Sequence, residues 1–136
     1  MQFVKSFLIA VVGSAVGNVI VLFVFRPFVI NPAMPLHALS VGPVVGLTIF
    51  GVIGATIVYA LMRAFMTDPQ KAFIWVSVVV LVLSFIPDYL VIGQVTGPFA
   101  GGSWPSALTL MLMHVVAAVV TVWALVKVWG PKAHSI

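Results

Sequence analysis

The sequence predicts an all-α protein, a four-helix transmembrane bundle with both termini on the cytoplasmic side. Composition is the first reason. Of 136 residues, 63% are hydrophobic and 6% are charged, against about a quarter charged in a soluble domain. Six cations and two carboxylates cannot cover a water-facing surface, so the solvent for most of this single domain, residues 1–136, is lipid. The second reason is four apolar runs, at about 3–25, 41–62, 73–92 and 104–129. Each reaches the roughly 20 residues that cross a ~30 Å hydrocarbon core as a helix. The third is charge asymmetry. An even number of spans puts Lys5, Arg63, Lys71, Lys127 and Lys132 on one side and Arg26 alone on the other, which the positive-inside rule reads as N-in, C-in. The formal charge of +4 therefore reflects topology, and no nucleic-acid partner is implied. The runs lack the two-residue alternation of barrel strands. With no cysteine, thiol chemistry and disulfides are excluded.

The first run resembles a secretory leader, with Lys5, an apolar core and Gly13-Ser-Ala15. It continues ten residues beyond Ala15, too far for a cleavable signal, and is read as a span. Arg26-Pro27 ends it, and Asn31-Pro32 and Met34-Pro35 hold the following segment extended. The second run is glycine-rich and ends before Arg63. Thr67-Asp68-Pro69 makes a turn with an N-cap for the third helix. Gly97-Pro98 through Ser103 is a loop, and Ser103 caps the fourth helix ahead of Trp104-Pro105. Trp75, Trp104, Trp123, Trp129, Tyr59 and Tyr89 lie mostly near span ends, where amphipathic rings favour the interface.

Lipid tails are as apolar as leucine, so helices associate through close packing and hydrogen bonds between them. Ala10, Gly13, Ser14, Gly17 and Asn18 form a smooth stripe on the first helix. Gly13-xxx-Gly17 is a small-xxx-small step, and Gly42-xxx-Gly46 repeats it on the second helix. Both pairs are expected at helix contacts.

Polar side chains inside spans are the functional candidates. At ~1.5 Å per residue, Asn18 lies roughly 12 Å, His114 roughly 15 Å and Ser84 roughly 10 Å below the outer edge. Asp88 stands one turn above Ser84 on the same face, and Ser77 continues that face inward. The expectation is a polar seam of Asn18, Ser84, Asp88 and His114, with Asp88 pairing with Arg26 near the outer boundary. Pro87 frees a carbonyl beside it. His114 has three readings. As a structural peg its ring makes hydrogen bonds worth about 0.6 kcal/mol each. With Asp88 it relays protons. Alternatively it contacts haem iron or a quinone. No metal site is expected, because one histidine within the spans does not supply a ligand set. His37 and His134 belong to a loop and the tail.

Four segments carry a resemblance. They are Gly17-Asn18, the proline-containing outer loop, Ser84-Phe-Ile-Pro87 and Met113-His114-Val-Val-Ala-Ala118. Over roughly Gly13 to Val128 the chain resembles a family of small bacterial four-span integral membrane proteins, known as a domain of unknown function. The resemblance implies a four-helix membrane fold in the bacterial cytoplasmic membrane and brings no activity with it. The family pattern in the third span is Ser-Leu-x-Pro-Pro or a close variant. Asp88 after Pro87 departs from that pattern, so its role rests on its own chemistry.

No nucleophile, phosphate loop or catalytic constellation is legible. The functional expectation is a non-enzymatic accessory or interaction subunit, self-associating and without cofactor. The alternatives are a small proton-coupled permease using the polar seam, and a haem- or quinone-associated subunit.

Overall fold

The computed structural model describes residues 1–130; Lys132 and His134 lie outside the described residues. Helix α1 spans Gln2–Val29, α2 Val41–Phe65, α3 Pro69–Leu90 and α4 Trp104–Trp123. The fourth continues through a π-helical segment, Ala124–Val128. All four are long and apolar enough to cross a membrane, and no strand occurs among the described residues. Two short 3-10 turns, His37–Leu39 and Gly97–Phe99, sit in the longer connections. Asp68 caps α3, accepting from the Lys71 amide, and Ser103 caps α4 in a reciprocal box with Ser106. These caps satisfy amides that helix geometry leaves free. Pro27 does not end α1, which runs on to Val29. A proline removes one intrahelical bond, and so close to the end little is left to disrupt.

Helix α1 buries Ser6, Ala10, Ser14, Asn18 and Leu22, a stripe with a four-residue repeat. It packs most extensively on α4 and then on α2, while α3 leans chiefly on α4. Gly13 and Gly17 make the main seam possible. A Cβ on Gly13 would lie 2.9 Å from Cγ1 of Val120, and one on Gly17 would lie 2.8 Å from Cγ1 of Val116. Valine in a helix has essentially one side-chain rotamer, so neither methyl can swing away. Across the same seam Ser14 and Thr121 share a hydrogen bond of 3.2 Å. Gly42 and Gly46 differ from expectation. A Cβ on either meets nothing within 4 Å, so this pair faces outward and makes no helix contact.

Apolar clusters close the bundle at each end. Leu36, Leu39 and Val91 pack with Leu22, Val44 and Met113 at the Arg26 end. At the other end Tyr59 and Phe73 pack with Leu125 and Val126. Tyr59 is fully buried there, an expected interfacial ring drawn into the core. Arg63 lies over the rings of Tyr59 and Trp129 and donates to the Gly130 carbonyl. The π-helical segment shifts its carbonyls out of register, and Gln70 Nε2 donates to the Val126 carbonyl at 3.0 Å. Helices α2 and α3 touch each other less than α1 touches α2 or α3 touches α4.

Gly17→Ala should lower stability by ~1–3 kcal/mol through overpacking, read as thermal unfolding in detergent. Adding Val116→Ala should recover most of the loss. Gly46→Ala should be neutral or stabilising by up to ~1 kcal/mol, because the helix gains rigidity and meets no neighbour.

Candidate functional site

The weak α2–α3 contact leaves a cleft of about 610 Å³ floored by α1 and α4. Its wall is mostly aliphatic. The polar residues on it are Asn18, Thr48, Ser77, Ser84, Asp88, His114 and Thr121. Rim residues Leu47 and Val58 on α2, and Val76 and Val80 on α3, are exposed on the outside of the bundle. The cleft therefore opens sideways, where a bilayer would lie.

Helix α3 continues through Pro87 without breaking register. Phe73, Ser77, Leu81, Ser84 and Asp88 consequently share the face that lines the cleft. Only Pro69, Phe73 and Asp88 of this helix are buried. A carboxylate is thus among its best covered side chains, which needs an electrostatic reason.

That reason is His114. Its Nδ1 lies 2.9 Å from Asp88 Oδ2 and 2.9 Å from the carbonyl of Leu110. One N–H cannot point at both. It is directed at Leu110, and Asp88 Oδ2 has no aligned donor despite the close approach. The Leu110 carbonyl can only accept, so Nδ1 carries the hydrogen. Nε2 of neutral His114 is then an acceptor, and it has no partner among the described residues. The side chain keeps 42% of its surface exposed while that of Asp88 keeps 7%. The ring therefore presents its free edge to the cleft and the carboxylate lies behind it.

The expected Arg26–Asp88 pair does not form. Arg26 is exposed, and Asp88 meets the His114 imidazole instead. Shared height on two helices was not enough, because α1 meets α4 and α2 more closely than α3.

Asn18 also reaches the cleft, but its bond goes to α2. Nδ2 donates to Thr48 Oγ1 at 2.8 Å. The Thr48 hydroxyl is itself committed to the Val44 carbonyl at 2.6 Å, so Oγ1 can only accept. That fixes the amide orientation and leaves Asn18 Oδ1 buried without a partner. Ser84 bonds within its own helix, to the Leu81 carbonyl at 2.6 Å, rather than to His114. The seam expected from depth is thus one surface carrying Asn18, Ser84, Asp88 and His114, with one direct pair on it. Thr48 is the residue that sequence reasoning misses. It lies seven positions after Val41, roughly 10 Å into its span, the depth at which the others were sought. Among the described residues no three of His, Asp and Glu come together as a metal-ligand group.

The model of a family of unknown function, DUF6069, matches residues 2–129. The chain belongs to this family. The segments around Asn18, Pro87 and His114 that carried the resemblance lie within the matched span, and both Asp88 and its partner are inside it. No curated protein and no solved structure matches the chain. Family membership carries no chemistry, so function has to be argued from the site.

His114→Leu should strand the Asp88 carboxylate. The loss should be near the lower end of the ~3–5 kcal/mol range for breaking a buried pair, because the imidazole is part-exposed. Adding Asp88→Asn should restore part of it in thermal unfolding. A single variant as stable as the parent would show that the pair contributes nothing to folding.

Proposed function

We propose that this is a non-enzymatic integral membrane protein that holds a small amphiphilic guest, taken sideways from the bilayer, in the α2–α3 cleft. The observation that carries the reading is the Asp88–His114 pair on the wall of a laterally open, largely aliphatic cavity. Ligand sites are typically concave and apolar, with a few convergent polar groups that fix orientation. A pair of this kind is costly in hydrocarbon and marks a functional site by default. Replacing such a pair by packed aliphatic side chains often leaves stability unchanged or improved, which supports a role for it beyond holding the fold.

The topology that goes with this reading has both termini on the cytoplasmic side of a bacterial membrane. Lys5, Arg63, Lys71 and Lys127 are supported there by the positive-inside rule. A second reading is an accessory subunit, or a self-associating chain, whose cleft receives an apolar helix of a partner. The exposed aliphatic rims of α2 and α3 favour it.

Ala118 lines the cavity one turn from His114, so Ala118→Phe fills part of it while leaving Asp88 and His114 themselves unchanged. Wild type purified in mild detergent should yield, on organic extraction and mass spectrometry, a lipid-soluble compound other than bulk phospholipid. Ala118→Phe should lose about tenfold or more of it, the loss expected for roughly 1.4 kcal/mol of binding. Identical extracts from both proteins would overturn the guest reading. A stoichiometric polypeptide that Ala118→Phe releases would favour the second reading.

A further inference from the structure

The cleft is short of donors. Most hydroxyl and amide donors near its polar end are already committed, one of the two Asn18 Nδ2 hydrogens being left over. The Thr48 hydroxyl goes to Val44, Ser84 to Leu81, Asn18 Nδ2 to Thr48, and Thr121 shares its bond with Ser14. Ser77 lies two turns from Ser84 toward the opposite end of α3. His114 Nδ1–H goes to Leu110. What remains buried without an aligned donor is Asn18 Oδ1 and Asp88 Oδ2, the latter 2.9 Å from His114 Nδ1, both acceptors on residues 4% and 5% exposed. Neutral His114 adds Nε2 as a third acceptor. Unmet acceptors in a dry site are expensive, and the cost is larger for a carboxylate.

Charge points the same way. Asp88 and His114 are the only titratable side chains on the cavity wall among the described residues. With His114 neutral, the pair carries one net negative charge in a medium that solvates charge poorly. A guest with a single positive charge cancels it and supplies the missing N–H donors.

We propose that the guest of this cleft is a lipophilic ammonium, a primary or secondary amine in its protonated form on an aliphatic or aromatic body. Its N–H groups meet His114 Nε2 at the open edge of the ring and draw out Asp88 Oδ2 and Asn18 Oδ1, which neighbouring side chains cover in this structure, and its body lies along the aliphatic wall of α2 and α3. This deepens the guest reading above and rests on it.

The test uses full-length protein in detergent with four probes of matched length: decylammonium, 2-undecanone, decanoate and decane. Each is titrated against wild type, Asp88→Asn, Asn18→Leu and Ala118→Phe, so that partitioning into the micelle cancels. Decylammonium should bind wild type about tenfold or more tightly than Asp88→Asn, the range for a hydrogen bond to a charged group. Asn18→Leu should also weaken it, by about threefold to tenfold for a neutral partner. This second variant keeps the carboxylate and serves if Asp88→Asn fails to fold. The ketone and the carboxylate should show no preference for wild type over either variant. If either binds wild type as tightly as decylammonium, while Ala118→Phe abolishes that binding, the cation assignment is overturned and the cleft remains a guest site. If no probe distinguishes wild type from Ala118→Phe, both readings are overturned.

Discussion

The close approach of α1 to α4 along Gly13 and Gly17 is the contact on which the rest of the molecule depends. In a membrane there is no hydrophobic drive between helices, so a smooth surface that admits a neighbour's side chains is the main source of adhesion. Here the neighbour is the valine ridge of Val116 and Val120. Once these two helices are locked, α2 takes the remaining flank of α1, and α3 takes the remaining flank of α4. The two outer helices meet each other less than they meet these inner ones. The cleft is the geometric remainder of that arrangement. Glycines on α2 enlarge it, since Gly51 and Gly54 border it and a Cβ there would meet nothing.

The polar chemistry follows the same geometry. Each span carries a hydroxyl, amide, carboxylate or imidazole, and hydrocarbon offers these groups no alternative partner. Most resolve the problem locally. Thr48, Thr56, Ser84 and Thr109 all donate to a carbonyl of their own helix. Asp88 cannot do so, because a carboxylate only accepts. It therefore needs a group from another helix, and His114 supplies it across the α3–α4 contact. The pairing is incomplete, because the imidazole N–H serves Leu110 first. A site that combines an under-satisfied carboxylate with an open aliphatic wall has both halves of an amphiphile's complement.

Particular residues show how far the sequence could be read. The lone imidazole of the spans, and the amide, hydroxyl and carboxylate near its level, were legible from depth alone, since rise per residue is constant along a helix. All four reach the same cavity wall. Partner identity was not legible. Arg26 and Asp88 share a height, yet height says nothing about which helices are neighbours. The glycine pairs make the same point. Gly13/Gly17 and Gly42/Gly46 have identical spacing, but only the first pair meets another helix. Thr48 escaped notice because threonine back-bonds within a helix so commonly that it carries little signal by itself.

By itself the sequence determined the all-helical class, the four apolar segments, the caps on α3 and α4, and the height of Asn18, Ser84, Asp88 and His114 along their own helices. These are properties of one helix at a time, set by hydropathy, length and local hydrogen bonding. The tertiary structure alone decided that α1 and α4 form the seam, that α2 and α3 stand apart, and that Asp88 answers to His114 rather than to Arg26. The physical reason is rotational. An apolar helix in lipid gains almost nothing by turning one aliphatic face rather than another toward its neighbours. Its azimuth is settled only when all four pack together.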